Sequence, residues 1–379
     1  MPKSNKGSRN IYLDYASAAS PAEANPGSLH LLGVREKNKL EQARATISGL
    51  LGVRAQEVIF TSGATESNNL AILGMVQGVR KIHILTTNIE HPSVLEVFKH
   101  LQLSGQAEMS YMPVEKNGIL NPKTLKKLLR PNTRLVSVMY ANNEIGTIQP
   151  IREIAKEIRH HNKKNGGNIF FHTDATQAIN YLPIKAEALG VDLMSWSGAK
   201  IYGPKGIGVL YVKSGTPIKK IMFGGDQEFG LRPGTENPAL AVKLAQALRI
   251  TESIKEKEIK RLSKLRDYFF SELGKFASPI VNGDMQNRLP NNINFTLPKI
   301  PSDLLVLELS AKGIMVSSKS ACKNSKKEGS EVLRAIHPDL DLEIGGLRLS
   351  LGRQTTKRDL DYTLRILSEV LTKLKKWYH

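Results

Sequence analysis

Alternation of short apolar, β-rich runs with amphipathic helical stretches between residues 58 and 212 predicts an α/β fold whose large unit is layered on a mostly parallel, mixed sheet. Two further observations complete the expectation. A long helical pattern rich in Lys and Glu follows from Pro238 to Leu273, and the residues after it mix strand-like runs with a closing amphipathic helix. The sequence is therefore read as a large unit over 15–250 and a smaller α+β unit over 251–379, with 1–14 packed on the smaller one.

In order, the strand-like runs are 57–60, 81–86, 134–139, 168–172, 193–195 and 208–211. Helical periodicity fills 66–75 and 151–161 between them. In the smaller unit 291–296 and 314–317 are expected as strands and 356–377 as the last helix. No internal repeat or low-complexity tract interrupts the pattern.

The 379 residues are 40% hydrophobic and 23% charged, ordinary globular usage that excludes a fibrous or disordered class. No apolar run approaches the roughly 20 residues that span a bilayer, and Ile11-Tyr12-Leu13-Asp14 follows the basic start where a signal peptide would be apolar. A cytoplasmic protein without a membrane partner is expected. The net charge of +19 comes from basic residues scattered through helical stretches, without a nucleic-acid motif or aromatic interleaving. Nucleic acid is not the expected partner. The single cysteine, Cys322, excludes a disulfide framework and a multi-cysteine metal site built by this chain, and no metal is expected.

Four segments carry chemistry. Thr61-Ser62-Gly63-Ala64-Thr65-Glu66 lies between a strand and a helix, where small residues and unpaired helix N–H groups suit an anion, although ordinary N-capping explains the same residues. Asp174, in His172-Thr173-Asp174-Ala175-Thr176-Gln177, falls at a strand's C-terminal end. A carboxylate there can hold a cationic ring nitrogen, as a pyridoxal enzyme requires, or cap the next helix. Lys200 sits in a small-residue turn, Ser197-Gly198-Ala199-Lys200, from which it can reach inward to a cofactor aldehyde with its amine desolvated. Gly203 to Gly208 imitates a dinucleotide loop but precedes a strand, so it is discounted. Cys322 lies in Ser317-Ser318-Lys319-Ser320-Ala321-Cys322-Lys323, a polar, lysine-rich segment that reads as an exposed loop, and neighbouring ammonium groups favour its thiolate.

Taken in order, the motifs resemble the cysteine desulfurases of the NifS and IscS type, within class V of the fold-type I pyridoxal-phosphate enzymes. They are YLDYA at Tyr12, TSGATESNN at Thr61, EHPSV at Glu90, ANNEIGTIQP at Ala141, HTDATQ at His172, SGAKIYGPKG at Ser197, RPGTEN at Arg232, SSKSAC at Ser317 and RLSLGR at Arg348. The resemblance implies pyridoxal 5'-phosphate held by Lys200 as a Schiff base, with Asp174 on the ring nitrogen and Gln177 on the ring hydroxyl. His91 would stack on the ring and assist proton transfer. Ala64, Thr65 and Ser197 would bind the phosphate, joined by Thr235 from the other subunit of a homodimer. Asn143 and Arg348 would hold the carboxylate of L-cysteine. Cys322 would take the substrate sulfur as a persulfide, releasing alanine and passing sulfur to an acceptor protein for iron-sulfur clusters or thiolated products.

The chain departs from that family in places. Ala199 stands where a His usually precedes the lysine, removing one phosphate contact, and the stretch from Tyr15 to Asn25 is short enough to curtail the first helix. Lys319 replaces a small residue, and with Lys323, Lys326 and Lys327 it suggests an acidic acceptor. The chain stops soon after Trp377, short of the tail that some relatives use for scaffold binding. Selenocysteine lyase, class V aminotransferase and a non-catalytic scaffold on the same fold stay open as rivals.

Overall fold

A computed structural model of the chain describes residues 11–318, 330–339 and 345–374. Strands β1 (Val58–Thr61), β2 (Ile82–Thr87), β3 (Ala107–Met112), β4 (Thr133–Ser137), β5 (Phe170–Asp174), β6 (Leu193–Ser197) and β7 (Gly208–Val212) form one sheet in the order β1-β7-β6-β5-β4-β2-β3. Only β7 runs antiparallel to its neighbours, so the sheet is mixed and mostly parallel, as expected. Strand order reverses relative to chain order between β2 and β4, as crossover helices require.

Helices cover both faces, which explains why these strands are apolar almost throughout. The helices are α1 (Leu31–Leu51), α2 (Ala64–Val76), α3 (Pro92–Leu103), α4 (Pro122–Leu128), α5 (Ile151–Asn165), α6 (Ala186–Leu189) and α7 (Pro238–Leu273). Alternate strand residues separate into two layers. Phe60, Met194, Trp196 and Val209 pack with Leu40, Ile154 and Leu244 of α1, α5 and α7, whereas Ile59, Leu193 and Leu210 pack with Leu70 of α2 and Phe98 of α3.

Asn237 caps α7 by accepting the Leu240 N–H at 2.9 Å, and Pro238 opens its first turn. At 36 residues the helix is about 54 Å long. It runs unbroken through position 250 and carries Phe269 to Phe295 of a second sheet, ring centroids 6.3 Å apart. That sheet is antiparallel, β10-β9-β8, built from β8 (Ile280–Val281), β9 (Asn292–Thr296) and β10 (Leu347–Ser350). Helices α8 (Ser302–Ser310), α9 (Glu331–Ile336) and α10 (Lys357–Leu374) accompany it. The strand expected at 314–317 is corrected: Ser317 alone makes a bridge, to Arg348, and Met315 is 79% exposed.

One buried ion pair fixes the segment that leads into α7. Arg44 donates to both carboxylate oxygens of Glu228 at 2.8 Å, and Glu228 also accepts the Phe60 N–H at 2.8 Å. The rings of Phe60 and Phe229 flank the guanidinium. Glu228 and Phe229 both have left-handed backbone, strain that this anchoring holds in place. Glu228→Ala strands a buried Arg44, so urea unfolding is expected to report a loss of about 3–5 kcal/mol.

Candidate active site

Because β2, β4, β5 and β6 are parallel, their C-terminal ends share one edge of the sheet, where ligands of open α/β folds bind. His91 follows β2, Asn143 follows β4, Asp174 ends β5, and Ser197 ends β6 with Lys200 three residues on. Residues far apart in sequence are thereby gathered on one rim.

Asp174 is 6% exposed and held from two sides: Oδ1 accepts the Thr176 N–H at 2.9 Å and Oδ2 accepts from Asn68 Nδ2 at 2.8 Å. Asn68 Nδ2 also donates to Ser93 Oγ at 2.9 Å, and Ser93 Oγ lies 2.8 Å from His91 Nδ1. His91 is the N-cap of α3, its Nδ1 accepting the Ser93 N–H at 3.1 Å with Pro92 between them, so the cap itself sets the ring's orientation. Burial lowers the His91 pKa; the charge of Asp174 opposes that and the charge of Lys200 adds to it. Under the rim, His172 is buried between Ser137 and Ser195, and burial lowers it to about 4.

Glu90 is the unusual acid. It accepts the Thr87 hydroxyl and the Met139 N–H at 2.8 Å, yet burial pushes its pKa up to about 8, with the negative charge of Asp174 adding to the rise. Burial thus favours the neutral form of Glu90. Sequence reading missed Asn68, Ser93 and Glu90. Asn68 is one helical turn beyond Ala64, so its position on the face of the phosphate-like turn was a signal that periodicity offers.

Register brings the turn at Thr61 to Glu66 beside Ser197. Gly208 pairs with Thr61 on one side and Ser197 on the other. A Cβ on Gly208 would meet Gly63 Cα at 2.6 Å, so only glycine lets β7 run this close to the turn. Gly63 has φ of 156° and serves as N-cap of α2, whose first residues are Ala64 and Thr65. A Cβ on Gly63 would lie 3.8 Å from Ser197 Oγ. Ala64, Thr65 and Ser197 therefore surround one helix N-terminus, of the kind that binds phosphate. Glu66 ties the turn by accepting the Ser62 N–H at 2.7 Å and Arg232 Nε at 2.9 Å.

Arg348 Nη1 donates to the Asn143 carbonyl at 3.0 Å, which brings these two residues together. Neighbouring Glu144 accepts the Ser330 hydroxyl at 2.5 Å, while its carbonyl accepts the amides of Asn292 and Asn294 at 2.9 Å each. Gln177 is half-buried past the end of β5. Thr235 is exposed on the turn ahead of α7. Cys322, Lys319, Lys323, Lys326 and Lys327 lie outside the described residues, as does Trp377. Lys200 and Ala199 are exposed on their turn. The turn's anchor is Asn180, whose amide donates to the Lys200 carbonyl.

Comparison with known proteins follows the same lines. Residues 10–363 match the family model described as aminotransferase class-V. The cysteine desulfurase IscS of Dictyoglomus turgidum is 42% identical over 97% of this chain and 96% of its own. That of Methanosarcina thermophila is 42% identical over 93% of this chain and 86% of its own. A solved NifS-like protein superposes with a TM-score of 0.85 at 36% identity, covering 93% of this chain and 92% of that one. The family is pyridoxal-phosphate dependent, and the residues present fit that cofactor. The buried Asp174 carboxylate could hold a ring nitrogen, and the N-terminus of α2 with the Thr65 and Ser197 hydroxyls could hold a phosphate. A primary amine is near. Beside Asp174, Thr176 Oγ1 and Asn68 Oδ1 are buried without a partner among the described residues, which suits a polar ring lying there. On the family model, the relatives and the shared fold together, the chain belongs to the class-V aminotransferase family, in its cysteine desulfurase branch.

Proposed function

We propose that this protein is a pyridoxal-phosphate-dependent cysteine desulfurase that converts L-cysteine to L-alanine and holds the sulfur as a persulfide on Cys322. The supporting observation is the way the substrate-carboxylate pair adjoins the sulfur-bearing segment. Arg348 bonds Asn143 through its side chain, and its backbone pairs with Ser317 in two bonds of 2.7 and 3.1 Å. Cys322 is five residues beyond Ser317, within an extended reach of about 17 Å. Glu144 fastens the other side of the segment at Ser330.

When bound, pyridoxal phosphate supplies an aldehyde for amine capture and a ring that withdraws electrons from the substrate α-carbon. Lys200 would give the capturing amine, Asp174 would keep the ring nitrogen protonated and Gln177 would reach the ring hydroxyl. His91 would lie against the ring and assist proton transfer as a donor. Ala64, Thr65 and Ser197 hold the phosphate, and Thr235, exposed on its turn, completes the cradle of a second copy in a homodimer. Arg348 and Asn143 orient the substrate carboxylate. Cys322 Sγ, as the thiolate, would bond to the substrate sulfur as the carbon–sulfur bond breaks, the electron pair of that bond staying on the carbon, which takes up a proton before alanine leaves.

Transfer goes to an acidic acceptor drawn by the lysines around Cys322. A solved SspA structure carries the description "in complex with cysteine" at 32% identity and a TM-score of 0.74, covering 88% of this chain and 92% of that one, which supports the same substrate here. The direct test supplies cysteine with a reductant and measures products. Equal alanine and sulfide support desulfuration, whereas amino transfer to a 2-oxo acid would make the protein an aminotransferase. Selenide from selenocysteine without sulfide from cysteine would make it a selenocysteine lyase.

Ala199 carries a prediction of its own. An imidazole there adds a charge-assisted donor toward the phosphate, so Ala199→His is expected to tighten pyridoxal phosphate binding by about tenfold in an equilibrium titration of the unloaded protein.

A further inference from the structure

We propose that Asn68 and Ser93 hold His91 as the tautomer protonated on Nε2, so that the imidazole presents a hydrogen-bond donor to the site and does not serve as its base. The inference deepens the reading above, resting on it for what lies over the ring, but the tautomer itself follows from hydrogen bonds inside the chain.

The direction of each bond can be assigned in turn. Asp174 accepts on both oxygens. Asn68 must therefore turn its NH₂ toward Asp174, because the flipped amide would set an oxygen against a carboxylate oxygen 2.8 Å away. The second N–H of that group, fixed by the first, donates to Ser93 Oγ at 2.9 Å. Ser93 is thereby supplied with a donor, and its own hydroxyl proton is left for His91 Nδ1 at 2.8 Å. The Ser93 backbone N–H, which can only donate, points at the same Nδ1 at 3.1 Å. Nδ1 is a lone pair receiving two donors, so a neutral His91 carries its proton on Nε2.

Burial keeps the arrangement from relaxing. Asn68 is fully buried and Ser93 is 9% exposed, so water does not readily substitute for either partner. The charged groups whose fields reach His91 are Asp174, Lys200 and Glu144. A base at Nε2 would need the opposite tautomer, and forming it would set Nδ1–H against the Ser93 N–H. Proton abstraction from a substrate therefore falls to another group, and Asn68 and Ser93 act as positioning residues through His91.

The test reads the ring nitrogens directly. Protein labelled with ¹⁵N-histidine, with and without pyridoxal phosphate, is examined by long-range ¹H–¹⁵N correlation above the titration of its histidines, and His91→Gln assigns the signal. Expected are a pyridine-like Nδ1 and a pyrrole-like Nε2 in the wild type. Asn68→Ala should shift the tautomer ratio about five- to tenfold toward Nδ1–H, since the Ser93 hydroxyl is then free to accept. A wild-type His91 protonated on Nδ1, or a ratio unmoved by the substitution, overturns the proposal. Should Asn68→Ala not fold, Asn68→Ser, which lacks the second donor, is judged by the same shift. No cysteine enters the measurement, so a protein with the expected tautomer that releases no alanine would refute the desulfurase reading alone.

Discussion

Lys200→Ala lowers alanine formation from cysteine by about 10³-fold or more, with the fold left intact. Both halves of that expectation come from where the lysine sits. Its side chain is exposed on a three-residue turn, so truncating it removes no core contact, and the turn is held through the Lys200 carbonyl by Asn180, which any residue at 200 supplies. Only the amine is lost. Thermal unfolding should match the wild type, while the visible absorbance of an imine-linked cofactor disappears. Exogenous amine should restore part of the turnover. Wild-type rates in Lys200→Ala would mean that the amine is not the capturing group, and a collapsed melting transition that the side chain is structural.

Asp174→Asn is the second large effect, expected at about 10²–10³-fold in turnover. The wild-type carboxylate receives the Thr176 N–H on one oxygen and the Asn68 amide on the other. An asparagine keeps one acceptor and turns its own NH₂ toward one of those two donors, so one bond is replaced by a clash of hydrogens. That costs about 1–3 kcal/mol of stability in urea unfolding. Removing the negative charge should also let the neighbouring Glu90 ionise at lower pH, because that charge adds to the burial that holds it near 8. A difference titration of the two proteins checks the direction. Unchanged turnover would place the ring nitrogen elsewhere.

Much of the fold was legible because buried parallel strands announce themselves as apolar runs. Residues 193–195 and 208–211 anticipated β6 and β7 to within two residues, and the pattern of α7 coincided with its observed ends. The edge strand β3 was not legible, since its residues Glu108 to Tyr111 are half-exposed to exposed and carry no continuous apolar signal. In α1, apolar residues are diluted by Arg44, Glu36 and other polar groups, and its burial depends on α7, which no local window contains. Expectations at 314–317 failed for the converse reason: local β-propensity without a sheet neighbour beyond Ser317.

The site divides similarly. Asp174 and Thr65 could be singled out because strand ends and helix starts are local features, whereas Ser197 came through family resemblance. Arg348 and Asn143 were singled out only through family resemblance, and their contact across 205 positions was not anticipated. Asn68 and Ser93 escaped notice because their roles arise from contacts across 106 and 25 positions. Exposure of Lys200 escaped too, since a turn's sequence does not reveal what covers it.

The most direct measurement follows a single addition of cysteine to the loaded protein without reductant, with the intact mass of the chain and the alanine released read together. One alanine per chain and a mass gain of one sulfur atom, confined to the peptide with Cys322 and absent in Cys322→Ser, is the predicted result. Alanine released equally by Cys322→Ser, or a chain whose mass does not change while alanine accumulates, would contradict it.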